Sequence, residues 1–229
     1  MSVRGFIFDL DGVLTDTAEH HFRAWKRLAD EEGWLFTRAD NERLRGVARR
    51  ESLLLILNGR AVTEAQMLAL LARKNQYYLA YIEEISPRDW LPGARELLEE
   101  ICAAGYKAGL GSASKNARQV VEQLGVGGLL DAIADGHSVQ RPKPAPDLFL
   151  YAAVQLGLTP PECVVIEDAA AGLQAAQAGG FRTVGLGPKE RVGQAEAVFP
   201  SLEGVHLNSI LAALEASALK SNGPVLPSV

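Results

Sequence analysis

Three apolar residues, Phe6-Ile7-Phe8, run straight into Asp9, and Asp11 and Gly12 follow. Such a run reads as a buried strand, and it ends in two carboxylates set against a glycine turn. Two later stretches end in the same way. YKAGLG leads into Ser112-Ala113-Ser114-Lys115-Asn116, and CVVIE closes on Glu167-Asp168, preceded by Lys143 within RPKPAPD. In an open parallel sheet, ligands bind at the carboxyl ends of the strands. Three strand ends would therefore bring four carboxylates, two serines and a lysine to one rim.

Four carboxylates without histidine or cysteine partners form a hard oxygen site, suited to Mg²⁺ more than to zinc. Hydroxyls and free backbone N–H groups at a helix start, beside a lysine, suit a phosphate. An aspartate next to both can act as a nucleophile and form an acyl phosphate. A second aspartate two residues on is placed to move the proton of the group that arrives or leaves.

The elements that must hold these residues are legible in outline. GFIF (5–8), YKAGLG (106–111), CVVIE (163–167) and RTVGLG (182–187) read as buried strands. Helical patterns lie between them, ARELLEEICAAG, KNARQVVEQLG, DLFLYAAVQLG and AAGLQAAQAGG, each closing on a glycine. This alternation predicts an α/β fold: a Rossmann-like, doubly wound parallel sheet with helices on both faces. Residues 16–90 break the pattern, with no buried strand and several amphipathic helices. In TDTAEHHFRAWKRLADEEG, Ala18, Phe22, Trp25 and Ala29 share one helical face, with Asp16 as the expected cap and Glu19 in capping-box position. EAQMLALLARKNQYYLAYIEE gives another helix. The expected organisation is a catalytic core of residues 1–15 and 91–229, interrupted by a helical cap domain over 16–90. Pro87, Pro92 and Gly93 in SPRDWLPG mark the return to the core, and the tail SALKSNGPVLPSV is expected to fray.

Composition narrows the partners. The 229 residues are 48% apolar and 22% charged, with a net charge of −5. An acidic balance argues against nucleic acid as an obligate partner. No run reaches the ~18 apolar residues of a membrane span, so a cytoplasmic protein is expected. Cys102 and Cys163 sit in apolar contexts and read as buried, reduced thiols. The acids of DLDGVLTDTAEH lack the spacing of a calcium loop, and the GLG segments lack a dinucleotide fingerprint.

Taken together, FDLDGV, GSAS, Lys143 in KPAPD, and IEDA resemble the four motifs of the haloacid dehalogenase-like superfamily of aspartyl-phosphate phosphotransferases. The resemblance covers nearly the whole chain, including the place of the helical insert. It implies Asp9 as nucleophile and Asp11 as general acid and base. It also implies Mg²⁺ on Asp9, Asp168, the backbone oxygen of Asp11 and Glu167, with Ser112 and Lys143 holding the transferring phosphate. TDTAEHHFRAW, RGVARRESL, RKNQYYL and SASKN are similar to the β-phosphoglucomutase family. That likeness implies His21 in proton handling and cap closure, and Arg49 with Ser114, Lys115 and Asn116 on the phosphate that is not transferred. Lys74, Trp25, Gly46 and Val47 are implied around the sugar, with Thr17 and Ala113 among the binding residues.

The activity implied is the Mg²⁺-dependent interconversion of β-D-glucose 1-phosphate and glucose 6-phosphate through a phospho-aspartate, with glucose 1,6-bisphosphate as intermediate and primer, in a monomer. A sugar-phosphate phosphatase and a mutase on another β-glycosyl phosphate share these motifs. A non-catalytic sugar-phosphate sensor would be expected to lose Asp9 or Asp168, and both are present. The chain departs from the pattern at Ala48 and Ala169, where serine is common, and at Pro142 before the motif lysine. From the residues alone, Trp25 could be core packing, Arg49 and Arg50 a solvated charge run, and Lys74 no more special than Arg73. His20 reads as surface.

Overall fold

The computed structural model describes residues 2–221. Six parallel strands form one sheet: β1 (Gly5–Phe8), β2 (Lys107–Gly111), β3 (Ala132–Ala134), β4 (Cys163–Glu167), β5 (Arg182–Leu186) and β6 (Ala197–Phe199), in the order β3-β2-β1-β4-β5-β6. Strand side chains alternate between faces. Phe6, Phe8, Val164 and Ile166 therefore enter one apolar cluster, while Ile7, Cys163 and Val165 enter another. The first face is covered by α5 (Ala94–Ala103), α6 (Ala117–Gln123) and α10 (Leu207–Ser221), the second by α7 (Asp147–Leu156) and α8 (Ala170–Ala178). A short α9 (Lys189–Val192) precedes β6. The four glycines expected to close helices, Gly105, Gly125, Gly157 and Gly180, all adopt positive φ after α5, α6, α7 and α8.

Two strands escape the sequence pattern. AIA in β3 and AVF in β6 are three residues each, too short to show a period against the surrounding loops. The tail also differs from expectation. Helix α10 continues through Ser217 to Ser221, and the rest of the segment lies outside the described residues.

Between β1 and α5 come four helices: α1 (Ala18–Glu31), α2 (Arg38–Glu42), α3 (Arg49–Leu57) and α4 (Glu64–Ile82). They build an apolar cluster of their own from Trp25, Leu28, Phe36, Leu53, Leu57, Met67 and Leu70. The cap of α1 is not the one expected. Thr17 occupies the N-cap position, Asp16 Oδ1 accepts from the Ala18 N–H, and Glu19 pairs with Arg38 at 2.6 Å instead of closing a capping box. Reciprocal boxes form at α2 through Thr37 and Asp40, and at α4 through Thr63 and Gln66. The chain enters and leaves this insert at one place. Thr15 bridges Trp90, its hydroxyl donates to the Asp89 carbonyl at 2.7 Å, and the Leu91 N–H donates to the Leu14 carbonyl at 2.9 Å.

Candidate active site

The sheet order reverses direction between β1 and β4, and that switch point is where a doubly wound sheet leaves room for a ligand. Phe8 is in register with Ile166, so Asp9 emerges level with Glu167. Carboxylate oxygens of Asp9, Glu167 and Asp168 lie within 4.8 Å of one another, all three residues buried. Gly12 makes room for this approach: its φ is +84°, and a Cβ there would stand 2.3 Å from Asp168 Oδ2. Lys143 crosses from the opposite loop, donating to Asp9 Oδ1 at 2.7 Å and Glu167 Oε1 at 2.6 Å. Ser112, fully buried, accepts from the Ser114 N–H, and the Ser114 hydroxyl accepts from the Asn116 N–H, which tightens the loop after β2.

Burial and mutual repulsion dominate the electrostatics. Burial, then the charge of Asp9, raises Glu167 to about 8 against the pull of Lys143. Asp168 is raised to about 6 by burial and Asp9, with Arg45 and Arg191 opposing. Asp11 is held well above the ordinary carboxyl range by burial, then by Asp9 and Asp168. Thr17 donates its hydroxyl to Asp11 Oδ1. A buried oxygen-only donor set whose members resist ionisation together is what a hard divalent cation relieves, so these residues fit Mg²⁺.

The insert supplies the opposite wall. One cavity is lined by Asp9, Asp11 and Asp168 from the sheet, Ala113, Ser114 and Lys115 from the loop after β2, and His21, Trp25, Gly46, Val47, Arg49 and Lys74 from the insert. Residues that looked alike in sequence separate here. Arg50 pairs with Glu64 on the outside, whereas half-buried Arg49 forms no ion pair among the described residues. Arg73 faces Glu31 and Glu32, whereas Lys74 is buried. Its ammonium donates to His21 Nδ1 at 2.8 Å and lies over the rings of Trp25 and Tyr78, with His21 stacked on Tyr78. Burial first, then Arg49, lowers the Lys74 pKa well below the lysine range, and burial followed by Lys74 keeps His21 neutral. Trp25 both packs in the insert's apolar cluster and borders the cavity. His20 is half-buried and not on the surface, its ring shielded enough to lower its pKa.

Thr17, Ser112, Lys143, Glu167 and Asn116 do not line this cavity; the Asn116 amide donates instead to Asn75 of the insert at 2.9 Å. Sequence reading missed Arg45, Asn41, Leu44 and Ser52 on the insert side, and Arg191 on the core. Arg45 directly precedes the Gly46-Val47 pair, which was its available signal. Nothing in PKERVG singles out Arg191.

A doubly wound sheet with this acid cluster at its switch point defines the class. A model of the haloacid dehalogenase-like hydrolases matches residues 3–180, and the chain belongs to that family. Within it, the chain is 42% identical to a β-phosphoglucomutase of Bacillus subtilis (strain 168) over 189 residues, covering 81% of this chain and 84% of that protein. It superposes on the crystal structure of a β-phosphoglucomutase from Clostridium difficile with a TM-score of 0.90 at 37% identity, covering 94% and 99% of the two chains. Hexitol phosphatase A of Escherichia coli (strain K12) is 31% identical, over 90% of this chain and 94% of its own.

Proposed function

We propose that this chain is a Mg²⁺-dependent phosphomutase that interconverts β-D-glucose 1-phosphate and glucose 6-phosphate. The observation that carries the reading is a two-sided cavity: the Asp9–Asp11 pair on the sheet, and Arg49, free of any ion pair among the described residues, on the insert. A hydrolase needs a grip on one phosphate. A mutase that keeps a bisphosphate must hold two, and Arg49 with Lys115 offers the second.

In this reading Asp9 carries the phosphoryl group as an acyl phosphate. The substrate 6-hydroxyl gives its proton to Asp11 as its oxygen attacks phosphorus, and the bond from phosphorus to Asp9 breaks. The raised pKa of Asp11 suits a group that holds a proton between half-reactions. The resulting β-glucose 1,6-bisphosphate turns around, Asp9 attacks the 1-phosphate, and Asp11 returns a proton to the departing sugar oxygen. Ser112 and Lys143 hold the transferring group, Ser114, Lys115, Asn116 and Arg49 the distant one, and Lys74, Trp25, Gly46, Val47, Thr17 and Ala113 the sugar and its surroundings. His21, neutral and bonded to Lys74, assists proton handling as the insert closes. Asp9, Asp168, the Asp11 backbone oxygen and Glu167 would hold Mg²⁺, which supplies neutralisation of the phosphoryl charge. Residues 16–90 act as a cap on a core of 1–15 and 91–229, and closing it excludes water from the acyl phosphate.

The phosphatase reading uses the same core with water as the attacking group. The two separate in one assay: β-glucose 1-phosphate, Mg²⁺ and a glucose 1,6-bisphosphate primer, with glucose 6-phosphate and free phosphate followed independently. Glucose 6-phosphate formation well above phosphate release is expected. Release of phosphate alone would replace the mutase reading with the phosphatase one.

A further inference from the structure

The three clustered carboxylates Asp9, Glu167 and Asp168 face three cationic side chains. Lys143 spans Asp9 and Glu167 at 2.7 and 2.6 Å, Arg45 Nη1 meets Asp168 Oδ2 at 3.0 Å, and Arg191 Nη2 lies 3.8 Å from the same oxygen. Two of these cations are fixtures of the core. Lys143 is buried, and Arg191 is tied by its Nε to the Asp168 backbone carbonyl at 2.7 Å. Arg45 is different because it is carried by the insert, in the turn between α2 and α3.

Its guanidinium is divided between two partners. Nε and Nη2 donate to Glu42 on the insert, at 2.9 and 3.4 Å, leaving Nη1 to cross to the core. The next residue fixes how far the insert must descend for that contact. Gly46, at φ +69°, approaches so closely that a Cβ would stand 2.9 Å from the Ala169 Cβ. Arg45 thus seats on Asp168 when the insert is down on the sheet.

Resting on the magnesium reading above, we infer that Arg45 and the divalent cation are rivals for Asp168. Arg45 already occupies Asp168 Oδ2, a carboxylate the cation also needs, and two positive groups drawn to one carboxylate repel more strongly where water is excluded. Lys143 and Arg191 cannot withdraw without breaking core contacts; Arg45 withdraws by lifting the insert. Metal binding and closure are therefore antagonistic in the absence of substrate, and the antagonism is reciprocal. A sugar phosphate brings the negative charge that lets the cation and Arg45 coexist, so closure waits for substrate.

The test titrates MgCl₂ alone into the full-length, chelator-stripped protein by calorimetry, for the native chain, Arg45→Gln and Arg45→Lys. Arg45→Gln should bind Mg²⁺ about tenfold more tightly, and Arg45→Lys, which keeps the charge, should stay near the native affinity. A fluorophore pair spanning insert and core should report opening on Mg²⁺ addition in the native chain and no such response in Arg45→Gln. Equal or weaker Mg²⁺ binding in Arg45→Gln overturns the rivalry, as does an Arg45→Lys protein that behaves like the glutamine variant. Absence of Mg²⁺ binding in the native chain removes the metal reading itself, and the rivalry with it.

Discussion

The sheet rim and the helical insert handle charge in opposite ways. On the rim, Asp9 and Glu167 are buried beside Lys143, every partner within 2.7 Å, so the charges are fixed by the fold. On the insert, Arg49 forms no ion pair among the described residues, and Lys74 rests on a neutral histidine and two aromatic rings. Burial disfavours the charge of both Arg49 and Lys74. The rim holds its acids against cations built into the structure; the insert side is short of negative charge. On the proposed reading an anionic substrate would complete the second, with chemistry on the sheet and recognition on the insert.

The largest loss is expected at Asp9. Asp9→Asn keeps the size of the side chain but removes the nucleophile, so turnover should vanish while the circular dichroism spectrum stays native. Near-native turnover would end the phospho-aspartate mechanism. Asp11→Asn should lower kcat by about 10²–10⁴-fold through lost proton transfer, measured in the coupled mutase assay. An unchanged kcat would move the acid–base role to another group.

Arg49→Ala tests the other side. Mutase turnover should fall by an amount equivalent to about 2–5 kcal/mol, the range for truncating one partner of a desolvated charge pair. Hydrolysis of acetyl phosphate, which has no second phosphate to hold, should change little. Equal losses on both substrates would make Arg49 structural and dissolve the division of labour. The mildest expected effect is on metal affinity. Glu167 and Asp168 are raised to about 8 and about 6, so protons occupy these carboxylates as pH falls through that window. Mg²⁺ binding should weaken progressively from pH 8 downward, by up to about tenfold per unit between pH 8 and 6 where one proton competes with the cation, and more steeply below pH 6 where both acids are protonated. A pH-independent affinity between 5 and 8 would separate these acids from the metal.

How much of this was legible in the sequence follows from the same contrast. Asp9, Asp11, Ser112, Glu167 and Asp168 stand at or just past the ends of apolar strands, where period and punctuation mark them, and Lys143 reaches the same rim from the loop between β3 and α7. The insert carries no such frame. Arg45, Arg49 and Arg50 occupy one charge-rich stretch, and only the turn from α2 into α3 sends the first to Asp168, the second to the cavity and the third to Glu64. Helical period alone could not tell Lys74 from Arg73, because their difference lies in what α1 packs against them. The α1 cap went wrong for a related reason. Asp16 and Glu19 have capping-box spacing, but Glu19 pairs instead with Arg38 at the start of the next helix, α2.

The crossing at Thr15 and Trp90 also bears on how the chain comes together. β1 cannot pair with β2 until Gly5 meets Lys107, and the entire insert lies between them. Contacts so remote in sequence slow folding, because the entropy of closing the intervening loop is lost before any pairing returns it. The insert has its own apolar cluster, and its two ends are joined by Thr15 to Trp90 and by Leu14 to Leu91. Once those helices have gathered, the span that β1 must close shrinks from the length of the insert to a single bridge. An autonomous insert would then act as a folding clamp for the central strand pair, and an early collapse of residues 16–90 would speed the formation of the sheet on which the chemistry depends.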